Sequence, residues 1–149
     1  MKTFIKKSII ALICLIGLQT QVMADNDKPI NINQLPATAQ QIIKSNFASK
    51  KVALAKMESG LLDKSYDVIF TTGEKIEFDR KGNWTEVDCK RTAVPAKLVP
   101  AQIANYVKAN YTGSKILKIE KDDNNSYEIT LSSGVEIKFN KNFQVIDID

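Results

Sequence analysis

The sequence predicts an α+β fold in tandem duplication, each repeat being one helix packed on a four-stranded antiparallel sheet. Three observations predict it. IIKSNF, Ile42 to Phe47, returns 64 residues later as YVKANY, Tyr106 to Tyr111. YDVIFTTG, Tyr66 to Gly73, returns as YEITLSSG, Tyr127 to Gly134, at an offset of 61. Each of those is followed by a short alternating run, KIEF in one case and EIKF in the other. Self-similarity at a fixed period is the signature of a repeated supersecondary unit.

At the N-terminus, Lys2, Lys6 and Lys7 precede the apolar run Ser8–Leu18, and Val22-Met23-Ala24 precedes a polar stretch. That is the pattern of a secretory signal peptide over residues 1–24, cut after Ala24. The apolar run is short of the ~20 residues a membrane span needs, so no span is expected after cleavage. Cys14 follows Leu12-Ile13 rather than the small residue a lipidated cysteine requires. Residues 25–34 are polar and read as an N-terminal arm.

The first unit covers residues 35–89. Pro36 opens a helix whose apolar positions are Ala39, Ile42, Ile43 and Phe47. Lys51–Met57 is a strand candidate. Tyr66, Val68 and Phe70 then alternate with Asp67, Ile69 and Thr71, and a glycine turn leads to Ile76 and Phe78. The turn Asp79–Asn83, with Gly82, leads to a strand from Trp84 to Cys89. Residues 90–98 carry Pro95 and little periodicity and read as a linker. The second unit, residues 99–149, repeats the order: Pro100 opens a helix with Ile103, Tyr106, Val107 and Tyr111, and Lys115–Lys121 is a strand. Tyr127–Leu131 and Ile137–Phe139 form a hairpin, and Phe143–Ile148 follows Asn140-Lys141-Asn142, where an asparagine is expected to take the left-handed turn conformation. On this reading Lys and Asn of the two matched hexapeptides face solvent while Phe47 and Tyr111 plug the sheets.

Composition narrows function. Losing residues 1–24 removes three lysines and no acid, leaving eighteen basic against seventeen acidic side chains, a net charge of +1 instead of +4. A near-neutral chain with interspersed charges has no electrostatic footprint for nucleic acid. Cys89 is the one cysteine left, so no internal disulfide is expected; it reads as a small apolar residue on a strand, with an intermolecular bridge as the alternative. Histidine is absent from all 149 residues. This removes Ser-His-Asp and Cys-His nucleophile systems and the commonest transition-metal ligand. Carboxylate pairs, Asp67 with Glu77 and Glu128 with Glu136, read as solvated surface charges. Asp122-Asp123-Asn124-Asn125 lacks calcium-loop spacing and reads as a turn. No cofactor, metal site or catalytic residue is expected.

Leu35-Pro36 before a helix ending Asn46-Phe47, the stretch YDVIFTTGEKIEFDRKGNW, the linker VPAKLVPAQIANYVKANY and the final YEITLSSGVEIKFN together resemble the PepSY-like periplasmic proteins of Bacteroidetes-type bacteria, a family with a fold similar to the β-lactamase inhibitor protein. The resemblance implies a periplasmic tandem α+β protein and no established activity, since fold alone does not fix function. The expected function is a non-enzymatic binding or inhibitor-like module that docks a periplasmic protein or peptide on its outer sheet face, through Ile69, Thr71, Lys75, Glu77, Thr130, Glu136 and Lys138. The alternative is a self-associating structural or envelope-stress protein, a homodimer formed by edge strands or through Cys89.

Overall fold

The computed structural model describes residues 27–60 and 63–149. The signal-peptide reading and Cys14 lie outside them. Among the described residues, nine strands form one antiparallel sheet in strict sequence order: β1 (Lys28–Pro29), β2 (Val52–Ser59), β3 (Lys64–Phe70), β4 (Lys75–Phe78), β5 (Trp84–Asp88), β6 (Ile116–Lys121), β7 (Tyr127–Leu131), β8 (Glu136–Phe139) and β9 (Val145–Ile148). Helix α1 (Ala37–Asn46) precedes β2 and helix α2 (Ala101–Asn110) precedes β6.

This corrects the expected architecture. The molecule is not two helix-on-four-strand units but a single, mostly β structure carrying two short helices. The deciding contact is β5 with β6, which pair through Glu86↔Glu120, Val87↔Ile119 and Asp88↔Lys118. Separate four-stranded sheets would each have left an edge of unpaired N–H and C=O groups at this point. Joining the edges satisfies those groups and lets one apolar layer run through. Cys89 N–H, donating to the Leu117 carbonyl at 2.8 Å, and Val94 N–H, donating to Ile116 at 2.8 Å, extend the join into the connecting segment.

The register explains the core. Side chains alternate between faces along each strand, and the pairing places Ala55, Val68, Ile76, Val87, Ile119, Ile129 and Ile137 in one line across seven strands. All but Ala55 in that line are wholly buried. Burying each such side chain is worth roughly 1.5–3 kcal/mol relative to leaving it in water. The helices cover this face: Ala39 and Ile43 of α1, and Ile103 and Val107 of α2, belong to the same buried cluster. Aromatic contacts fix where they sit. Phe47 stacks on Phe70 with ring centroids 5.0 Å apart, and Tyr106 meets Phe139 edge-on at 5.5 Å.

Pro36 and Pro100 cap the helix starts, their carbonyls accepting from Gln40 at 3.1 Å and Ala104 at 3.0 Å. At the other ends Asn46 and Asn110 donate from their side-chain amides to the carbonyls of Ile42 and Tyr106, at 3.0 and 2.9 Å. These two asparagines therefore do more than face solvent: each folds its side-chain amide back as a second donor to a carbonyl four residues earlier in its own helix. Within the stretch read as an arm, Lys28 pairs with Met57 and Pro29 with Lys56, while Ile30 and Ile32 pack against the core.

One turn expectation is also corrected. In Asn140–Gln144 the left-handed residue is Phe143, at φ +60°, and not an asparagine. Asn140 instead caps the turn, its side-chain oxygen accepting from the amides of Asn142 and Gln144, both at 3.0 Å.

Candidate functional site

The face of the sheet opposite the helices is where every residue out of phase with the core emerges. Two rows cross it. The first runs Lys56, Asp67, Glu77, Glu86, Glu120, Glu128, Lys138, Asp147, each residue directly opposite the next on the neighbouring strand. The second runs Leu54, Ile69, Lys75, Asp88, Lys118, Thr130, Glu136. The first row therefore sets five carboxylates side by side on five adjacent strands. Strands lie about 4.8 Å apart, and like charges placed directly opposite destabilise a sheet.

Lysines from the second row relieve this. Lys75 reaches the carboxylates of Asp67, at 3.2 Å, and Glu77. Lys118 sits between Glu86 at 3.2 Å and Glu120 at 3.1 Å. At the two ends of the row, Lys56 bonds Asp27 and Glu58, both at 2.6 Å, and Asp67 at 3.4 Å, while Lys138 lies 3.7 Å from Glu128 and 3.9 Å from Asp147. Asp27, then Glu58, hold the Lys56 ammonium firmly in its charged form against the opposing effect of burial. In the middle of the row compensation is incomplete: burial, then the neighbouring Glu120, push the Glu86 carboxyl above the ordinary range, with Lys118 pulling the other way.

Of the sequence-predicted contact residues, Ile69, Lys75, Thr130 and Glu136 fall in the second row, and Glu77 and Lys138 in the first. Thr71 does not join them. It lies exposed in the β3–β4 turn, where its N–H donates to the Lys51 carbonyl at 2.8 Å. Asp67 and Glu77 are directly opposite, as their pattern suggested, but Asp67 is 3% exposed and so is not the solvated surface charge expected, and Glu136 faces Thr130 while Glu128 faces Lys138. Sequence reasoning missed Lys56, Glu86, Lys118 and Glu120. The available signal was phase, since Glu86 and Glu120 each flank a core residue, Val87 and Ile119, and so must point outward.

At the β7–β9 end the face dips into a depression of about 270 Å³ bordered by Glu120, Asp122, Glu128, Lys138 and the exposed Ile146. Asp122 acts there as a turn cap, accepting from Asn124 N–H at 2.8 Å and Ser126 N–H at 3.0 Å. The Ser126 hydroxyl, its strongest partner, holds the carboxyl below its ordinary range. Among the described residues, no group of three or more His, Cys, Asp or Glu side chains is placed to hold a metal ion, and no buried side-chain N or O atom lacks a hydrogen-bond partner. No helix among them is long and apolar enough to cross a membrane. Cys89 is 2% exposed, and burial, helped by Glu74 and Asp88, pushes its thiol up to about 11. A thiol so enclosed and so weakly acidic is a poor bridge to another molecule.

A family model described as "Putative beta-lactamase-inhibitor-like, PepSY-like" matches residues 64–147, from β3 into β9. The chain belongs to the PepSY-like family. Solved structures agree. One from Bacteroides vulgatus, described as a "putative periplasmic protein" of the DUF2874 family, is 60% identical with a TM-score of 0.82, over 85% of this chain and 98% of that one. A second, from Bacteroides thetaiotaomicron and described as a "putative calcium-regulated periplasmic protein", is 58% identical with a TM-score of 0.80, over 83% and 96% of the two chains. A third, again from Bacteroides vulgatus and described as a "putative periplasmic protein of unknown function", is 38% identical with a TM-score of 0.77, over 83% and 98%. Comparison with curated proteins gives no match. The descriptions of these three structures give a compartment, and in one case regulation by calcium, but no reaction.

Proposed function

We propose that this PepSY-like protein is a non-enzymatic periplasmic module that docks a protein or peptide on the outer face of its sheet. One observation carries the reading: the helices lie on one side, so the other is a largely charged surface crossed by two rows that start on β2 and end on β9 and β8. Leu54, which is 40% exposed, and the half-buried Ile69 form an apolar corner at one end of it. Aliphatic side chains ringed by charges are the usual make-up of a docking surface. The periplasmic descriptions of the relatives and the signal-peptide pattern support the compartment.

The test is capture of partners from periplasmic extract on the immobilised processed chain, beside an Ile69→Asp/Thr130→Asp variant. Calcium is included and omitted, because one relative is described as calcium-regulated. One stoichiometric partner retained by the parent and lost on the variant, with both proteins melting alike, is the expected result. Equal retention by both rejects the face as the site.

A second reading, self-association, has one observation in its favour. Strand β9 is an open edge, and its Ile146 and Ile148 are 62% and 49% exposed. Edges of this kind invite another strand. Light scattering on the purified chain separates the readings: a dimer lost on Ile148→Lys supports self-association, and a monomer at all concentrations removes it.

A further inference from the structure

A cleft away from the sheet's outer face has the make-up of a small-ligand site. It lies between the segment leading into α2, the exposed flank of α2 and the loop that follows it, with a volume of about 290 Å³. Its walls are mostly apolar: Val94 and Val99 from the connecting segment, Ala104, Val107 and Tyr111 from the helix and its end, and Ile116 at the start of β6. Thr112 and Ser114 supply hydroxyl groups. Lys108 is the one charged residue of the lining, and no carboxylate accompanies it.

The cleft is open for a reason visible in the residues. At the end of α1, Phe47 is 3% exposed and stacks on Phe70, closing the space between helix and sheet. At the end of α2 the residue is Tyr111, and the strand residue before the next glycine turn is Leu131 instead of a phenylalanine. With no ring to stack on, Tyr111 stays half-buried and leans on Tyr106 at 6.3 Å. Space that is filled by aromatic packing in one half of the molecule is left empty in the other.

Charge indicates what would occupy it. Among the described residues Lys108 makes no ion pair, and neither do Lys97 and Lys115, which lie in the two segments flanking the cleft. The molecule's carboxylates are concentrated on the far face of the sheet. An apolar cavity with a few convergent polar groups and one cation suits a ligand with a hydrocarbon body and an anionic head. Volume limits its size. At roughly 30 Å³ per water-sized unit the cleft accommodates on the order of ten non-hydrogen atoms. We propose that this cleft binds a small amphipathic carboxylate, an organic acid with one short aliphatic chain, its tail against Val99, Val107 and Ile116 and its carboxylate at Lys108. This is a second site, independent of the docking face.

The test is NMR titration of the processed chain with sodium octanoate, and in parallel with octan-1-ol and sodium acetate. A ligand this small binds with a dissociation constant on the order of 1 mM. Octanoate is expected to shift amides within residues 94–116, acetate to leave them in place, and octan-1-ol to bind more weakly. Lys108→Glu should weaken octanoate about fivefold, as loss of one exposed ion pair permits, without changing octan-1-ol. Ala104→Phe, on the exposed side of the helix and outside the core, should block both. Absence of shifts in residues 94–116 overturns the site. Equal binding of octanoate and octan-1-ol, with Lys108→Glu indifferent to both, overturns the ligand class.

Discussion

Two turns in this molecule share a backbone and differ in what occupies it. Asp79–Asn83 joins β4 to β5 and Asn140–Gln144 joins β8 to β9. In each, the first residue's N–H bonds the last residue's carbonyl, and the fourth residue's N–H bonds back to the first. The fourth residue is left-handed in both: Gly82 at φ +85° and Phe143 at φ +60°. A bulky residue at positive φ is a rare conformation, so the two positions are under opposite constraints. A Cβ at Gly82 would lie 2.7 Å from Pro36 Cβ and 2.9 Å from the Ala39 nitrogen, against the first turn of α1. Phe143 has room there, and its ring stacks on Tyr127 at 5.5 Å. The same turn is glycine where a helix presses on it and aromatic where a ring can pack.

Breaking that comparison gives the largest expected effect. Gly82→Ala combines left-handed strain with a clash against helix backbone that cannot easily give way, so it should cost about 3 kcal/mol. The mirror change, Phe143→Gly, relieves strain while losing a ring contact worth about 1 kcal/mol, and should fall near zero. Denaturant unfolding of both variants checks the pair. Equal costs would show that the turns are held by something other than the contact with α1.

The β3–β4 and β7–β8 turns sharpen the lesson. Both place a glycine at positive φ, Gly73 and Gly134, within the same hydrogen bonds. The next residue is Glu74 in one and Val135 in the other. Glu74 is 3% exposed and is bonded by Lys50 and the Thr72 hydroxyl. Burial pushes its carboxyl up, but Lys50 and Thr72 more than offset this and leave it below the ordinary range. A buried ion pair is here a local solution and not a requirement of the fold, since Val135 fills its place without one. Lys50→Met should therefore cost about 2 kcal/mol by stranding the carboxylate, less than for a fully enclosed pair because Lys50 keeps contact with water. Lys50→Met/Glu74→Val should recover most of it. The sign with pH follows from the lowered carboxyl: the parent's stabilisation is present above the carboxylate range and lost as pH falls through it, and the double variant should lack that acid loss. Thermal melts from neutral pH downward provide the check.

Strands and helices were legible because their signals are local. Tyr66-Val68-Phe70 and Ile76-Phe78 show period-two alternation, and Pro36 and Pro100 each precede a helical apolar stripe. What joins these elements was not legible. The pairing of Val87 with Ile119 spans the whole connecting segment and α2, and no short pattern in either strand names its partner. Strand β1, two residues long, has no periodicity to detect. The left-handed Phe143 contradicts residue preference and is explained only by Tyr127 beside it. For the outer face, phase foretold which residues point outward, but the ladder of five carboxylates exists only once the register of all the strands is known.

The centre of that ladder holds the smallest expected effect, and it separates the two ends of the row from its middle. At the ends, Lys56 and Lys138 each meet at least two carboxylates. In the middle, Glu86 and Glu120 share one lysine, Lys118, and the Glu86 carboxyl is pushed up by burial and by Glu120. A folded-state value above the ordinary one means the native chain binds that proton more tightly than the unfolded chain does. This contribution to stability is present at low pH and lost as pH rises through the carboxylate range. Glu86→Gln keeps the shape and removes the charge. At neutral pH it should stabilise the protein by about 0.5 kcal/mol, since the site is partly solvated and Lys118 still has Glu120. Glu128→Gln, where Lys138 compensates a carboxylate nearer the end of the row, should give no such gain. Chemical denaturation of both variants at neutral and mildly acidic pH decides it. A gain at Glu86 that disappears in acid marks the middle of the ladder as the place where the face retains excess negative charge, whereas a loss would mean that the Glu86–Lys118 pair outweighs the repulsion from Glu120.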